Sequence, residues 1–141
     1  MFKKAVILFL STFLVLCTFS FAGAAVESEL AFEPGISPQW TLINRVSNTL
    51  SIDSNGLASM TSFISAYDGV ESVRISAFLQ RNEGNSWSTV NSWTENYDGT
   101  LGYWSGNWYV TKGNYRLVTF FWAYAGYDQD SAVLTKYAQY Y

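Results

Sequence analysis

The sequence predicts an all-β protein, built as a small antiparallel β-sandwich of seven to eight strands, and three observations support this fold class. From residue 40 onward, apolar residues recur with a period of two, which is the period of a strand with one buried face. Clusters of Gly, Asn and Ser separate the apolar runs, and proline is absent from residues 40–141. No segment after Ala25 has the 3.6-residue period of an amphipathic helix. A single closed barrel is the alternative architecture.

Residues 1–24 have the three parts of a secretory signal peptide. Two lysines form a short positive region, and residues 5–21 are uncharged and mostly apolar. Residues 22–24 then give the small–x–small pattern that a signal peptidase recognises. We therefore expect a helical signal peptide, cleavage after Ala24 with Ala25 as the alternative, and a secreted, extracellular protein that is not held by a membrane after cleavage. An uncleaved N-terminal anchor is the alternative, because the apolar stretch approaches the length of a membrane span.

The composition of the processed chain argues against several partners. Without residues 1–24 the chain keeps six basic and eleven acidic side chains, which gives a formal charge of −5. It has no cluster of Lys or Arg, so we expect neither nucleic acid nor an anionic membrane as a partner. The single cysteine, Cys17, lies in the predicted signal peptide, and Leu16 stands before it where a lipoprotein signal needs a small residue. The processed protein is therefore expected to be free of disulfides.

The side chains that carry most catalytic and metal chemistry are missing. The chain has no histidine, so catalysis or metal binding through imidazole is excluded. Most carboxylates fall in predicted turns next to Asn, Gly or Ser, where a solvated turn residue is the simplest interpretation. Asp128 with Asp130, and the segment Asp53-x-Asn55-Gly56, resemble parts of calcium loops but offer too few oxygens. We expect no enzyme activity, no cofactor and no metal, and a weak calcium site at Asp128 and Asp130 stays open.

The folded domain is predicted to span residues 40–141 and to follow a flexible leader. Residues 25–39 hold both prolines of the chain and show no apolar period, which is typical of an extended or flexible segment. Residues 115–124 are rich in aromatic and β-branched types and are predicted to form a central strand. The other predicted strands cover residues 50–52, 57–67, 73–80, 87–93, 103–110 and 132–137. Turns are predicted at residues 54–56, 82–86, 112–114 and 126–131.

One tyrosine predicts an immunoglobulin-like order for these strands. Tyr115 opens the second-to-last long strand two residues after Gly113, and Gly126 lies in the next turn. In immunoglobulin-like sandwiches, a tyrosine at the start of strand F hydrogen-bonds back to the loop before it. Tyr115 fits this tyrosine corner, and a plain core tyrosine is the alternative.

Aromatic side chains are the most informative feature, because they make up 21 of the 117 residues of the processed chain. Trp87 and Trp93 are six residues apart, so they are predicted to share one face of a strand. Trp104 and Trp108, four residues apart, are likewise predicted to share a face. These pairs are candidates for a surface that contacts a ligand.

The strand at residues 115–124 carries aromatic residues on both faces near its end. Phe121 is predicted on one face, and Phe120, Trp122 and Tyr124 on the other. One face must line the core, so the other forms an exposed contact surface, unless aromatics fill both sides of a small core. The candidate ligand-contact residues are Trp87, Trp93, Trp104, Trp108, Trp122 and Tyr124.

Two segments, residues 84–93 (GNSWSTVNSW) and 110–116 (VTKGNYR), resemble a family of small exported proteins of Gram-positive bacteria. That family has a signal peptide followed by a single domain of unknown function. The similarity covers most of residues 40–125, including Ser51-Ile52-x-x-x-Gly56-x-Ala58 and Leu79-Gln80-Arg81. The resemblance implies a bacterial secreted protein. It implies no activity and no functional residues.

Two functions fit these observations. The first is a non-catalytic module that binds cell-envelope or extracellular polysaccharide, because flat aromatic side chains suit sugar rings. The second is a protein-interaction or assembly component of the cell surface, or a secreted antagonist, with no sugar ligand. The aromatic C-terminus, residues 137–141, favours the second function, because Tyr and Trp also dominate protein contacts.

Overall fold

The computed structural model describes residues 40–141, and this part of the chain is all β. Seven antiparallel strands follow one another, and these residues contain no helix that could cross a membrane. The predicted signal peptide and leader lie outside the described residues. The strands are Ile43–Ile52 (β1), Leu57–Ala66 (β2), Ser72–Asn82 (β3), Trp87–Asp98 (β4), Leu101–Tyr109 (β5), Gly113–Ala125 (β6) and Asp128–Tyr140 (β7).

The strands form two sheets that pack face to face. One sheet has three strands in the order β1-β2-β5, and the other has four in the order β4-β3-β6-β7. All neighbouring strands run antiparallel. The predicted antiparallel β-sandwich is therefore confirmed, with seven strands. The order matches an immunoglobulin-like sandwich, in which strands A, B and E face strands C, F and G, and β4 is added beside strand C.

The core lies between the sheets and is formed by alternate residues of the strands. On β3, Val73, Ile75, Ala77 and Leu79 point inward, and each exposes 1% or less of its surface. This confirms the alternation predicted for residues 73–80. Full burial of a Val, Leu, Ile or Phe side chain contributes about 1.5–3 kcal/mol, so the inner face stabilises both sheets. Other large buried apolar side chains are Ile43, Met60, Ile64, Leu117 and Phe121.

A small polar cluster joins the two sheets inside this core. The Asn48 side-chain amide donates to the hydroxyl of Thr119 (3.3 Å) and to the carbonyl oxygen of Leu134 (3.2 Å). The hydroxyl of Thr119 also lies 3.1 Å from that of Ser62. Because a buried polar group is costly unless it is hydrogen-bonded, these contacts favour one alignment of β1 and β2 over β6 and β7.

The predicted tyrosine corner is present at the start of β6. Tyr115 is buried, and its hydroxyl donates a 2.7 Å hydrogen bond to the carbonyl oxygen of Thr111 in the preceding loop. This bond ties the β5–β6 connection to the core. It supports the immunoglobulin-like order from a local contact that is independent of the sheet topology.

Three strands are several residues longer than the sequence predicts. β1 begins at Ile43 rather than near residue 50, and β4 continues to Asp98 rather than ending at residue 93. β7 covers Asp128–Tyr140 rather than residues 132–137, so the turn predicted at residues 126–131 is wrong beyond residue 127. In β1 the inward position 48 is an asparagine, so the apolar alternation is interrupted. In β4 the register with β3 shifts, so the period of two is broken as well.

Candidate functional site

The six candidate aromatics fall into two groups on different surfaces. The first group lies between the sheets where β4 faces β5, and we name it the edge cluster. The second group lies on the outer face of the four-stranded sheet. The edge cluster is Trp93, Trp104 and Trp108, and the outer group is Trp87, Trp122 and Tyr124. The structure therefore does not unite the six residues in one site.

Trp87 and Trp93 lie on opposite faces of β4, so the prediction that they share a face is wrong. Trp93 is paired with inward-pointing Ala77, whereas Trp87 is paired with Asn82. Between these pairs the register shifts, because Leu79 is paired with Asn91 and Gln80 with Thr89. The extra residue, Val90, forms a β-bulge. A bulge of one residue reverses the faces that alternate side chains occupy on its two sides, so Trp87, before the bulge, points outward while Trp93, after it, points inward.

The edge cluster closes the open side of the sandwich. The ring of Trp93 lies 5.1 Å from that of Trp104 and 6.3 Å from that of Trp108, measured between centroids. Trp104 is 7% exposed, and its ring lies over Gly106, where a Cβ atom would be 2.5 Å from it. Trp104 and Trp108 do share a face, as predicted, but it is the inner face. Trp108 alone is well exposed, at 42%.

The outer face of the four-stranded sheet carries a continuous set of aromatic side chains, which we name the aromatic face. Phe120 and Trp122 stack at 5.9 Å with an angle of 15° between their rings, and Phe78 meets Phe120 edge to face at 5.7 Å. Phe121 points into the core, so the predicted division of β6 into two faces is confirmed. The aromatic face comprises Phe78, Trp87, Phe120, Trp122, Tyr124 and Tyr137, together with Arg74 and Arg116.

Two arginines lie against these rings, one at each end of the aromatic face. The guanidinium carbon of Arg116 is 4.4 Å from the ring of Trp87, which also packs against Tyr137 at 5.9 Å. At the other end, the guanidinium carbon of Arg74 is 5.7 Å from the ring of Tyr124 and 6.0 Å from that of Trp122. Such cation–π contacts stabilise by about 0.5–1 kcal/mol when exposed, and they keep the arginine side chains against the rings.

The aromatic face is open among residues 40–141. The sandwich has only two layers, so no described strand covers the outer side of the four-stranded sheet. Most of its aromatic side chains are half-buried, because the rings shield one another. An apolar surface of this extent that no other layer covers is typical of a contact site.

A second exposed apolar row lies on the outer side of the three-stranded sheet, and sequence reasoning missed it. Leu101, Tyr103 and Tyr109 of β5 are 60%, 60% and 72% exposed. They point away from the inward-facing Trp104 and Trp108. The signal in the sequence is the alternation of β5, which places Leu101, Tyr103 and Tyr109 on the face opposite to Trp104 and Trp108. Ser105 and Asn107 occupy the outward positions between Tyr103 and Tyr109.

The carboxylates considered for calcium bind backbone amides instead. One oxygen of Asp130 accepts hydrogen bonds from the amides of Thr41 (2.8 Å), Leu42 (2.5 Å) and Ile43 (3.2 Å). Asp53 likewise accepts from two amides of its own turn. No group of three or more potential metal-ligating side chains occurs within residues 40–141. Backbone N–H groups converging on an oxygen favour an anion there, so the geometry at Asp130 is that of a structural cap.

Among the described residues, one titratable group has a clear shift. Burial, and secondarily the nearby carboxylate of Glu95, raise the pKa of the Tyr97 phenol above its ordinary value of 10.0. The hydroxyl donates a 2.7 Å hydrogen bond to the carbonyl oxygen of Tyr103, and so joins β4 to β5. This shift has a structural cause, and Tyr97 lies away from the aromatic face.

Comparison with known protein families, with characterised proteins and with solved structures finds no match to this chain. The resemblance to exported proteins of Gram-positive bacteria therefore stays a prediction.

Proposed function

We propose that the protein is a secreted, non-catalytic binding module that holds cell-envelope or extracellular polysaccharide on the aromatic face. The observation that carries the proposal is the uncovered set of rings on the four-stranded sheet. These rings come from four neighbouring strands and lie on a surface with no opposing layer among residues 40–141. An open sheet face suits a long polymer better than a small molecule, which needs a concave pocket.

The side chains around the rings add the polar contacts that a sugar needs. On β3, β4 and β7 the outward positions beside the aromatic residues are mostly Ser, Thr, Asn and Gln. The hydroxyls of Ser76 and Thr94, for example, lie 2.8 Å apart on this face. Aromatic planes contact the apolar faces of sugar rings, while hydroxyl and amide groups can exchange hydrogen bonds with sugar hydroxyls.

Binding to insoluble polysaccharide tests the proposal. The protein, expressed from its full-length reading frame and purified as the cell delivers it, is mixed with peptidoglycan and with insoluble glycans, and bound protein is recovered by centrifugation. Tryptophan emission is then followed on addition of soluble fragments. We expect binding with shifted emission, because Trp87 and Trp122 lie on the aromatic face. Recovery from the medium, with an N-terminus at Ala25, tests secretion in the same preparation.

A matched pair of variants separates the aromatic face from the rest of the surface. Tyr124→Ala removes a ring from the aromatic face, and Tyr109→Ala removes an exposed ring from the other sheet. We expect Tyr124→Ala to weaken binding about tenfold, because large aromatic side chains contribute much of the free energy at contact surfaces, and Tyr109→Ala to leave it unchanged. Absence of binding to every glycan, or equal loss in both variants, contradicts the proposal.

The exposed row on β5 supports the second candidate, a protein-interaction or assembly role. Leu101, Tyr103 and Tyr109 are exposed on β5, which is an edge strand of its sheet, and neither Pro nor a charged residue occurs within Leu101–Tyr109. Uncharged edges of this kind favour protein contacts. Sedimentation of the purified protein distinguishes the candidates: an assembly component oligomerises by itself, whereas a polysaccharide module stays monomeric until ligand is added.

A further inference from the structure

We propose that the polysaccharide on the aromatic face is acidic, and that it lies as an extended chain along β6 with its negative groups on Arg74 and Arg116. This inference rests on the proposed function and specifies the class of ligand. The shared chemistry of the ligand is a linear chain of sugar rings that bears either carboxylate or phosphate groups.

The distribution of charge on the domain favours an anionic ligand at the aromatic face. Residues 40–141 hold eight acidic and six basic side chains, so the domain as a whole is acidic. The outward positions of the four-stranded sheet nevertheless carry two arginines and a single acid, Asp98, at the end of β4. A positive surface on an acidic protein directs anions to that surface and repels them elsewhere.

The hydrogen-bond partners of the two guanidinium groups leave their positive charges available to an anionic ligand. The Nε–H of Arg116 donates to the side-chain oxygen of Gln80 (2.8 Å), and that of Arg74 donates to the side-chain oxygen of Asn96 (2.7 Å). These partners are neutral amides, so they orient each guanidinium without neutralising its charge. The terminal N–H groups form a fork that suits carboxylate and phosphate oxygens. Because each fork is already fixed by a ring and an amide, less side-chain entropy is lost on binding.

The spacing of the two arginines favours an extended ligand. Arg116 lies on β6 itself, and Arg74 is paired with Trp122 of β6, six residues further along. At the usual rise of a strand, the two positions are about 20 Å apart. Along β6 the outward residues next to Arg116 on the way to Trp122 are Val118 and Phe120, and Phe78 of β3 packs against Phe120. A ligand that meets both charges must be extended and must offer apolar faces between its negative groups, which is a property of an acidic glycan and not of a small anion.

Binding to matched neutral and charged glycans tests this inference. The probes are a β-glucan and a dextran, each in neutral, carboxymethylated and phosphorylated form, with the full-length reading frame as the source of protein. We expect at least one charged form to bind about tenfold or more tightly than its neutral parent, and this preference to fall as salt increases. The form that binds more tightly identifies carboxylate or phosphate as the group recognised.

Charge variants assign the effect to the aromatic face. Arg74→Gln and Arg116→Gln should each lose most of the preference for the charged form, whereas Lys136→Gln, which removes a positive charge outside the face, should keep it. Arg116→Lys should retain part of it, because the charge remains while the fork is lost. Thermal unfolding of each variant confirms that it is folded.

The outcomes separate this inference from the function on which it rests. Equal binding to neutral and charged forms, unaffected by the arginine variants, overturns the inference and leaves the polysaccharide function intact. No binding to any form overturns both. Self-association that the arginine variants abolish shows that the aromatic face is occupied by a second copy of the chain, and this also overturns the inference.

Discussion

Replacing Asp130 by alanine tests the contact that joins the start of β7 to the start of β1. One carboxylate oxygen accepts hydrogen bonds from three successive backbone amides, those of residues 41–43, almost ninety positions earlier in the chain. Without the carboxylate these N–H groups keep only the solvent as a partner. The substitution removes no buried apolar group, so its effect on stability isolates this contact.

The expected loss of unfolding free energy in Asp130→Ala follows from the geometry of these three hydrogen bonds. A hydrogen bond to a charged group contributes about 1.5–3 kcal/mol. Here three donors share one oxygen, at 2.8, 2.5 and 3.2 Å, and the contact with Thr41 is exposed. We therefore expect a total of about 2–3 kcal/mol rather than three full contributions. Asp130→Asn keeps a neutral acceptor oxygen and should lose about half as much.

Urea unfolding followed by tryptophan emission measures the change, with Asp128→Ala as the matched control. Asp128 is an exposed aspartate two residues away. We expect Asp130→Ala to lower the midpoint without changing the slope, and Asp128→Ala to stay within about 0.5 kcal/mol of the parent. Equal midpoints for the two variants would refute the reasoning. A calcium-dependent rise in stability that Asp130→Ala abolishes would restore the calcium hypothesis.

Two further predictions concern tyrosines. Tyr115→Phe removes the hydrogen bond of the tyrosine corner and should lower the free energy of unfolding in urea by about 0.5–1.5 kcal/mol. Tyr127→Phe, at a fully exposed ring, should have no effect. Equal stability of the two variants counts against a stabilising tyrosine corner. The pKa of Tyr97 is raised in the folded state, so its contribution is complete below about pH 10 and is lost as the pH rises through the folded value. Tyr97→Phe should therefore flatten the alkaline fall in unfolding free energy, and an unchanged slope would contradict this.

The central strands could be predicted because burial imposes a simple pattern on them. β3 and β6 are covered on the inner side by the opposite sheet, and on β3 the buried Val73 and Ile75 alternate with Arg74 and Ser76. On β6 the density of aromatic and β-branched residues marks the strand instead. Tyr115 could be predicted as well, because its role depends on local spacing between a glycine and the start of a strand. In both cases the information lies within a few residues.

The edge strands and the division of the aromatic residues could not be predicted in the same way. The bulge at Val90 depends on how β4 pairs with β3, and no local sequence signal marks it. On β6 both faces are apolar, so alternation separates Phe121 from Trp122 without showing which of them lies inside. That choice depends on which face the three-stranded sheet covers, and this is a property of the whole fold.

The same bulge decides which surface Trp87 belongs to. With strict alternation, Trp87 would share the inward face of Trp93. Its ring would then be absent from the outer face, where the guanidinium carbon of Arg116 now lies 4.4 Å from it. The extra residue thus completes one end of the aromatic face. The position of Trp87 is therefore set by the pairing of β4 with β3 and not by the spacing of the tryptophans.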